Sequence, residues 1–569
     1  MNRLARRALI GAAAGALASI ALAFTMAHAG WVVGLGIALG AVYSVEMRPA
    51  PGAYVDRLMA AASVGIPVWG LVNVVAVPLL AGQMPEWGAD QMRAQFPALV
   101  GWILYGSLLG LLVQAINDAA TSVFGPEVEP ETPAPKVTTR IVILGGGFAG
   151  MQTAQSLEEE LRQDRSVSIT LVSETNALLF TPMLAEVAGS SLEPAHISPP
   201  LRTSLHRTEF IRGRVLELDF NRRVVSVGDT AVAAPGGSSV REFAYDHLVL
   251  ALGAVSNYLG MANVEKHAFD FKSLFDAIRI RNHTIGMFER ADRETDPAVR
   301  APLLTFVIAG GGFAGVELAG ALNDFAHGIL ADYPNLRAEE VSTVLVHSRD
   351  RILPELSESL ARYAQRKMEA RGVQFRLNTR LKDAQPGVVV LSDGEIHAET
   401  LVWTAGTAPN PLMKTLPIET DKRGAALVEN TMAVPGHACV WALGDCAAVN
   451  DAKSGKPCPP TAQFALRQAV VLARNIRAEL AGHPKRGFHF DSLGALCVVG
   501  HQTACAELTV PFARNTTMRF SGLLAWFMWR GIYLSKLPGL ERKIRVLIDW
   551  TIELFFPRDI VQTIDLQGK

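Results

Sequence analysis

The sequence predicts an α/β protein of two parallel-sheet domains, preceded by an all-helical membrane bundle and followed by a helical tail. Two nearly identical glycine-rich loops, ILGGGFAG from Ile143 and IAGGGFAG from Ile308, each join an apolar strand-like run to a helix-compatible run. Four apolar stretches without a charged residue precede residue 120. The length of 569 residues exceeds what one compact core holds, so several domains are expected.

The composition excludes some classes of protein. Hydrophobic residues make up 49% of the chain, which is high for a soluble enzyme, and the excess lies at the N-terminal end. Lys and Arg number 53 against 54 for Asp and Glu, so the chain lacks the basic field of a nucleic-acid partner, and none is expected. Five cysteines without a C-x-x-C spacing, all from Cys439 onward, indicate free thiols in a reducing compartment.

The first element is a bundle of about four membrane segments, assigned to residues 1–123. Its apolar stretches are Ala8 to Ala27, Gly30 to Val45, Leu58 to Gly82 and Phe96 to Ile116. All but the second, which suits the return arm of a hairpin, can cross a hydrocarbon core of about 30 Å at about 1.5 Å per residue. Small residues four apart suit close helix packing, although glycine is also simply common in such helices: Gly11/Gly15, Gly36/Gly40 and Gly106/Gly110.

The arginines predict which side of the membrane carries the rest of the chain. They lie in the N-terminal tail and in the loop that ends at Arg57, whereas the opposite loop carries only Arg93. The positive-inside rule places the N-terminus and everything after Ile116 in the cytoplasm, as in a multi-pass protein of the cell inner membrane. Residues 1–29 have an alternative interpretation as a cleaved signal peptide, because basic residues precede an apolar run that ends in Ala27-His28-Ala29.

The bundle and the linker behind it are expected to anchor the chain rather than to react. The spans contain no Asp, Glu, Lys or Arg, which argues against an ion path. His28 is the only histidine there, so the paired ligands of a haem are missing. Asn73 is the polar exception, and we expect it to make a helix-packing hydrogen bond. Residues 124–139 alternate Pro with Glu, which predicts an extended, solvated linker.

The two glycine loops predict two Rossmann-like dinucleotide-binding domains. In each loop the first glycine permits a tight turn, the second lets the backbone approach a pyrophosphate, and the third lets helix and strand pack closely. In this order the glycines are Gly145, Gly147 and Gly150 in the first loop and Gly310, Gly312 and Gly315 in the second. One such loop is weak evidence because glycine turns also serve packing, but two copies in the same context indicate two bound dinucleotides.

Two carboxylates follow strands near the first loop in the predicted fold. A strand over Ser166 to Val172 ends at Ser173-Glu174, and a carboxylate there can accept both hydroxyls of an adenosine ribose. The alternative for Glu174 is a solvated acid at a strand end. A later strand, Cys439 to Leu443, ends in Gly444-Asp445.

The order of these motifs resembles the two-dinucleotide-binding-domain flavoprotein oxidoreductases and, within them, the type II NADH:quinone oxidoreductase family. The superfamily pieces are GGGFAG, Tyr245-Asp246 before LVLALG, the second GGGFAGVELAG, WTAG at Trp403 to Gly406 and ALGD at Ala442 to Asp445. The pieces typical of the narrower family are Leu179 to Pro182, Pro460 to Gln463 and the tail from Ala525 to Asp559. The resemblance covers the chain from about Lys136 to its end.

This resemblance implies how the domains and the cofactor sites are arranged. It implies an FAD-binding domain over 140–271 and 412–490, an inserted NAD(P)H-binding domain over 272–411, and a membrane-interface region over 491–569. The residues implied to hold FAD are Gly145, Gly147, Phe148, Ala149, Gly150, Glu174, Gly253, Gly444 and Asp445. Those implied to hold NADH or NADPH are Gly310, Gly312, Gly315, His347, Arg349 and Gly406, and no metal is expected.

The resemblance also implies the reaction. A hydride passes from NAD(P)H to FAD, and two electrons go on to a membrane quinone in a respiratory chain without proton pumping. Glu317 is implicated in placing nicotinamide and quinone beside the flavin; its alternative is an acid favoured by a helix N-terminus. Ala462 to Gln468 resembles the quinone-side segment AQxAxQQ, with Arg467 in place of the first Gln of the pair. This leaves Gln463, alternatively a capping or surface amide, and Gln468 as candidates.

The second departure from the family concerns the nucleotide. His347, Ser348 and Arg349 stand where the family usually carries an acid for the ribose hydroxyls. An acid would repel a 2′-phosphate, whereas Ser and Arg can bind one. We therefore expect at least partial acceptance of NADPH.

The C-terminal tail and the cysteine positions bear on membrane binding and on the rival functions. Leu523 to Leu534, interrupted by Arg530, and Glu541 to Phe556 mix aromatic and basic residues, which favours helices lying in the membrane interface or, alternatively, a cap on the core. No cysteine precedes Cys439, which argues against sulfide:quinone oxidoreductases and disulfide reductases. The alternatives that remain are a flavin-based redox sensor or scaffold and a related reductase with a non-quinone acceptor. A homodimer is left open.

Overall fold

The computed structural model describes residues 3–25, 30–46, 54–84, 94–125, 136–229, 240–509 and 517–562. The chain divides into two compact units, Met1–Ala134 and Pro135–Lys569. His28, Arg93 and most of the predicted linker lie outside the described residues.

The N-terminal unit is helical. Its helices are α1 (Arg3–Thr25), α2 (Gly30–Glu46), α3 (Tyr54–Trp69), α4 (Val77–Leu80) and α5 (Phe96–Phe124). A π-helical stretch, Gly70–Ala76, joins α3 to α4 just after Pro67, which cannot donate a backbone hydrogen bond and so disturbs the ladder of α3. Three helical spans are long and apolar enough to cross a membrane, Ala5–Ala23, Tyr54–Leu80 and Phe96–Phe124, whereas Trp31–Glu46 is shorter, as predicted.

Glycines bring these helices into backbone contact. A Cβ on Gly11 would collide with the carbonyl oxygen of Gly40, and one on Gly15 with that of Gly36, so α1 and α2 touch without intervening side chains. Gly106 meets the backbone of α3 in the same way. The expected packing role of the small residues is therefore met. The indole N–H of Trp102 donates to Oδ1 of Asn73 over 2.7 Å, which is the helix-packing hydrogen bond expected for this amide.

The first part of the second unit builds a parallel sheet. Its elements are β1 (Thr139–Leu144), α6 (Phe148–Glu160), β2 (Val167–Ser173), α7 (Leu184–Ala188), α8 (Leu201–Ser204), β3 (Glu209–Arg212), β4 (Arg214–Asp219), β5 (Val224–Gly228), β6 (Val240–Ala244), β7 (His247–Leu250) and β8 (Ala254–Ser256). β1 lies at the centre, paired with β2 and β7. Side chains of β1 alternate between two cores, Ile141 and Ile143 in one and Val142 and Leu144 in the other, so the sheet is covered on both faces.

An inserted domain carries a second parallel sheet. Its elements are α9 (Ala262–His267), β9 (Phe269–Asp270), α10 (Leu274–Arg293), α11 (Pro297–Leu303), β10 (Thr305–Ala309), α12 (Phe313–Gly328), β11 (Ser342–Val346), α13 (Glu358–Glu369), β12 (Val373–Arg376), β13 (Leu381–Gln385), β14 (Val388–Leu391), β15 (Gly394–His397), β16 (Thr400–Trp403) and β17 (Thr407–Pro409). The strand order is β12-β11-β10-β16-β9. Because α9 packs on this sheet and β9 pairs with β16, the domain begins at Ala262, ahead of the predicted residue 272.

The chain then returns to the first sheet and ends in a tail. The elements are β18 (Ala426–Leu427), β19 (Val440–Ala442), β20 (Ala447–Ala448), α14 (Ala462–Leu480), β21 (Gly494–Val498), β22 (Ala504–Thr509), β23 (Thr517–Gly522), α15 (Leu523–Lys536) and α16 (Leu540–Glu553). β19 joins β7, which gives the first sheet the order β19-β7-β1-β2-β3. The return confirms the predicted insertion of one Rossmann-like domain into the other.

The tail helices have two different faces. Trp529, Val546 and Trp550 are buried in the core that includes the inserted domain, so α15 and α16 cap this core. The opposite side exposes large apolar side chains: Leu523, Leu524, Phe527, Leu547, Ile548, Ile552, Phe555 and Phe556. The cap on the core is therefore present, whereas the membrane interface, for which the exposed apolar face is available, stays a prediction. The interfacial position predicted for Arg530 is wrong, because its guanidinium is buried between Glu553 and the rings of Trp526 and Trp550.

Candidate active site

A single cleft of about 600 Å³ receives residues from both glycine motifs. The first motif contributes Gly147, Phe148 and Ala149, and the second contributes Phe313 and Ala314. Other predicted residues in the lining are Gly253, Glu317, Gly406, Gly444 and Asp445. The carboxyl ends of parallel strands from both sheets meet here, where α/β proteins bind ligands.

The glycines of the first loop have the geometry of a phosphate cradle. Gly145 has φ +110°, and a Cβ there would collide with the carbonyl oxygen of Ala251. A Cβ on Gly147 would meet no atom within 4 Å, so this position leaves open room in front of the N-terminus of α6. Gly150 packs directly on the carbonyl oxygen of Gly145. This arrangement fits the pyrophosphate of a dinucleotide.

The second loop repeats this geometry. Gly310 has φ +129° and packs against Thr404 of the strand end. A Cβ on Gly312 would meet only a carboxylate oxygen of Glu355 at 3.9 Å, so its face is open as well. Gly315 packs on the carbonyl oxygen of Gly310. Both loops therefore fit a pyrophosphate, and each opens a helix whose N-terminus favours an anion.

Asp445 lies in the cleft on a turn that Gln468 holds in place. Gly444 has φ +71°, and its N–H donates to Oε1 of Gln468 over 2.9 Å. Burial raises the pKa of Asp445, against the attraction of Lys272 and Arg423. The Gln468 side chain is only 3% exposed and is absent from the lining of the large cleft. Its contacts are those of a residue that shapes the flavin-side turn.

Glu174 follows β2 as predicted, but its carboxylate is already paired. Nε and NH2 of Arg214 donate to its two oxygens over 3.2 and 3.4 Å. Both side chains are more than half exposed. An exposed pair of this kind contributes about 0–1 kcal/mol, so ribose hydroxyls can replace Arg214 at small cost. The position fits a ribose ligand and leaves Arg214 as a neighbour that the sequence did not reveal.

Glu317 lies in the cleft on α12, one turn after the second glycine loop. Its Oε1 accepts the N–H of Val498 over 3.2 Å, and the residue is partly buried in the wall of the cleft. Burial raises the pKa of Glu317 to about 8, with a further contribution from Glu186. The carboxyl is therefore protonated near pH 7. A neutral group gains nothing from the helix dipole, which argues against the alternative interpretation of this residue.

Tyr533 and Lys272 also line the cleft, and neither was predicted as a site residue. Tyr533 reaches the cleft from α15, with its ring edge-on to Phe180 at 6.3 Å and to Trp529 at 4.9 Å. Burial raises the pKa of its phenol well above the usual value. Burial lowers the pKa of Lys272, which faces Asp445. The only indication in the sequence was a tyrosine within the apolar tail. The packing of α15 is needed to show that its side chain points into the cleft.

Gln463 ties α14 to the following sheet. Its Oε1 accepts the hydroxyl of Ser492 over 3.0 Å, and its Nε2 donates to the carbonyl of Gly494 over 3.5 Å. Its neighbour Ala462 lines the cleft, whereas Gln463 does not. Arg467, which departs from the family pattern, lies over the ring of Phe490 at 5.5 Å. The amide predicted for the quinone is thus near the cleft but engaged with backbone and hydroxyl groups.

His347 is held against the second loop rather than free in the nucleotide pocket. Its Nδ1 accepts the N–H of Gly311 over 3.0 Å. Burial lowers the pKa of the imidazole, and the charge of Arg349 adds to this effect. The ring is therefore neutral, with its proton on Nε2. Ser348 and Arg349 are exposed at the end of β11.

Comparisons with known proteins extend these observations. Residues 139–469 match the pyridine nucleotide-disulphide oxidoreductase family, and residues 493–559 match the NDH2 C-terminal domain. The chain is 30% identical over 449 residues to the type II NADH:quinone oxidoreductase Ndh of Mycobacterium tuberculosis, covering 76% of this chain and 91% of the relative. It is 27% identical over 478 residues to the internal alternative NAD(P)H-ubiquinone oxidoreductase A1 of Arabidopsis thaliana mitochondria, covering 79% and 89%.

A solved structure shares the fold. NDH2 from Plasmodium falciparum in complex with NADH matches with a TM-score of 0.66 at 17% identity. The match covers 74% of this chain and 99% of the other.

Proposed function

Because this chain belongs to the type II NADH:quinone oxidoreductases, within the pyridine nucleotide-disulphide oxidoreductase family, we propose that it oxidises NADH and reduces a membrane quinone. The observation that carries this proposal is the single cleft lined by both glycine motifs, with Glu317 beside them. Two dinucleotides that share one cleft can bring their reactive rings together.

The residues of the cleft account for how the cofactors are held. The first loop, Glu174 and Asp445 would hold FAD, and the second loop would hold the nicotinamide nucleotide. FAD held by these residues would supply the hydride and two-electron chemistry that connects the nucleotide to the quinone. The open faces of Gly147 and Gly312 let each pyrophosphate approach a helix N-terminus, which orients the two nucleotides.

Glu317 and Tyr533 can both donate hydrogen bonds where the quinone is reduced. Both are protonated at neutral pH because burial raises their pKa values, so each can donate a hydrogen bond to a carbonyl oxygen. Glu317 can also give up its proton, since its pKa of about 8 is close to the operating pH. Among the predicted amides, we propose that Gln463 lies nearer the quinone path and that Gln468 acts through the turn at Gly444.

We propose that NADPH is accepted beside NADH, through Arg349. Position 347 carries no acid to repel a 2′-phosphate, and the exposed guanidinium of Arg349 stands at the end of the neighbouring strand. The Arabidopsis relative is named for NAD(P)H, which is consistent with this proposal.

The proposed location is an inner membrane, with four helices crossing it and the catalytic unit on the cytoplasmic side. The arginine distribution supports this orientation, as does a count of four segments that includes the short α2. Reporter fusions at the N-terminus and after Lys569 test it, since both should report the cytoplasm. Sedimentation in detergent will show whether a second copy binds.

Purified full-length protein in detergent tests the activity. We expect NAD(P)H oxidation that depends on added ubiquinone or menaquinone analogue, with FAD released on denaturation. Flavin reduction by NADH without quinone turnover would instead indicate a redox sensor. Turnover with a soluble acceptor but with no quinone would indicate a different reductase.

A further inference from the structure

Glu317 lines a second, smaller cavity of about 40 Å³ in addition to the cleft. Its charged and titratable lining is Glu186, Asp324, His501, Arg530, Glu553 and Arg558. A water molecule needs about 10–15 Å³ of such volume and several polar partners, and this cavity offers both. Glu317 is thus the one carboxyl in contact with both the cleft and this cavity.

Only some of the carboxylates around this cavity have a close positively charged partner. Glu553 is bound by two guanidiniums, those of Arg530 and Arg558, each at 3.0 Å. Asp324 has its own partner in Arg371 at 3.1 Å.

The guanidiniums near Glu186 are not in close contact with it: Arg530 stands 3.9 Å from its Oε1, and Arg558 attracts it from farther away. The indole N–H of Trp550 donates to its Oε2 over 3.2 Å. Cys497 and Tyr533 face Glu317, but neither carries a positive charge. Two buried carboxyls therefore lack a full counter-charge, and such groups hold protons. Burial raises the pKa of Glu186 to about 7, which agrees with this count.

Quinone reduction needs a proton that the nucleotide does not bring. NADH supplies two electrons and one proton as hydride, whereas a quinol gains two electrons and two protons. Each turnover therefore takes one proton from water. Glu317 borders both the cleft and the small cavity, so this proton can reach it through the protein from the side of the cavity.

We propose that Glu186 and the water-sized cavity form a path that carries protons from solvent near His501 to Glu317. The inference rests on the proposed quinone reduction. The O–H bond of Glu317 breaks as an O–H bond of the quinol forms, and the proton of Glu186 then restores Glu317 through the cavity. Solvent at the partly exposed His501 reprotonates Glu186. Glu186 acts through Glu317 and does not touch the quinone, so it is a positioning residue in this path.

The test uses the full-length holoenzyme and two acceptors. Ferricyanide takes electrons without protons, whereas a short-chain quinone analogue takes both. We expect Glu186→Gln to slow quinone reduction about tenfold or more, with ferricyanide reduction within about twofold of wild type, since proton transfer contributes about 10²-fold or more. Glu186→Asp should restore part of the rate. The exposed Glu358→Gln is the matched control.

A readout independent of turnover follows the carboxyl itself. Infrared spectra of the resting protein should show a protonated carboxyl band that fades between about pH 6 and 9, and Glu186→Gln should remove part of it. If Glu186→Gln does not fold, His501→Phe keeps the ring beside Trp526 and should also slow quinone but not ferricyanide.

Unchanged quinone rates and pH profiles in folded Glu186→Gln would overturn the path. An equal loss with both acceptors would also overturn it, because it would indicate a structural role. Wild-type protein that reduces ferricyanide but no quinone would overturn the proposed function itself.

Discussion

Nδ1 of His347 accepts the backbone N–H of Gly311 over 3.0 Å, so the residue after β11 braces the second glycine loop. The bond requires Nδ1 to be unprotonated, which keeps the ring neutral. His347 therefore brings no positive charge to a 2′-phosphate. Any selection for NADPH at this strand end falls to Arg349.

Replacing Arg349 tests this assignment. We expect Arg349→Ala to lower kcat/KM for NADPH about tenfold or more, because a charge-assisted hydrogen bond contributes about 1.5–3 kcal/mol. The value for NADH should change less than about twofold. Steady-state kinetics with both nucleotides measure this, with Arg362→Ala on the exposed face of α13 as the control. A wild-type enzyme that prefers NADH a hundredfold would contradict the assignment.

Replacing Gln468 tests the support of the flavin-side turn. Gln468→Leu leaves the N–H of Gly444 buried without its acceptor, which costs about 1–3 kcal/mol. We expect a lower unfolding temperature and weaker FAD retention after gel filtration. Gln463→Leu should instead raise KM for quinone and keep the flavin. An opposite pattern in the two variants would reverse the proposed roles.

Glu174 should contribute to FAD affinity. Glu174→Ala removes the acceptor for two ribose hydroxyls, and we expect FAD to bind about tenfold more weakly to the deflavinated protein, as for the loss of about 1–1.5 kcal/mol. Titration of FAD fluorescence measures this. Arg214→Ala, which only frees the carboxylate, should bind FAD at least as well as wild type.

The raised pKa of Glu317 predicts how stability depends on pH. The folded protein holds this proton up to about pH 8, whereas the unfolded chain loses it near the ordinary value of 4.5. The folded state binds more protons in this window, so the contribution of Glu317 to stability falls as pH rises from about 4.5 to 8 and then levels off. Thermal unfolding should show that the stability of Glu317→Gln relative to wild type increases between pH 5 and 8. A constant difference would indicate that Glu317 is charged in the folded protein.

Arg530 should be required for folding of the tail. Arg530→Leu leaves the buried carboxylate of Glu553 with one guanidinium fewer and removes the contacts with Trp526 and Trp550. We expect a loss of about 3–5 kcal/mol in the free energy of unfolding, measured by denaturant titration. The exposed Arg545→Ala should change it by less than about 1 kcal/mol.

The sequence predicts the features that depend on local order along the chain. Glycine spacing, strand ends and apolar runs place the two loops, Glu174, Asp445 and the membrane helices. Residues whose roles depend on distant packing could not be placed in this way. Arg530 reads as an interfacial cation until α16 folds over it, and the bond between the Gln468 carbonyl and Gly444 could not be predicted from the segment that suggests a quinone ligand. Tyr533 becomes a cleft residue only because α15 docks beside Phe180.

The backbone contact between α1 and α2 bears on how the chain matures. Removal of α1 by a signal peptidase would leave the faces of Gly36 and Gly40 without their partner helix. It would also leave three segments in the bundle, and an odd count puts the two ends of a bundle on opposite sides of a membrane. Retention of α1 keeps the count even. In the proposed orientation, the helix that looks like a leader peptide is thus the one that places the N-terminus and the NADH-oxidising unit in the same compartment.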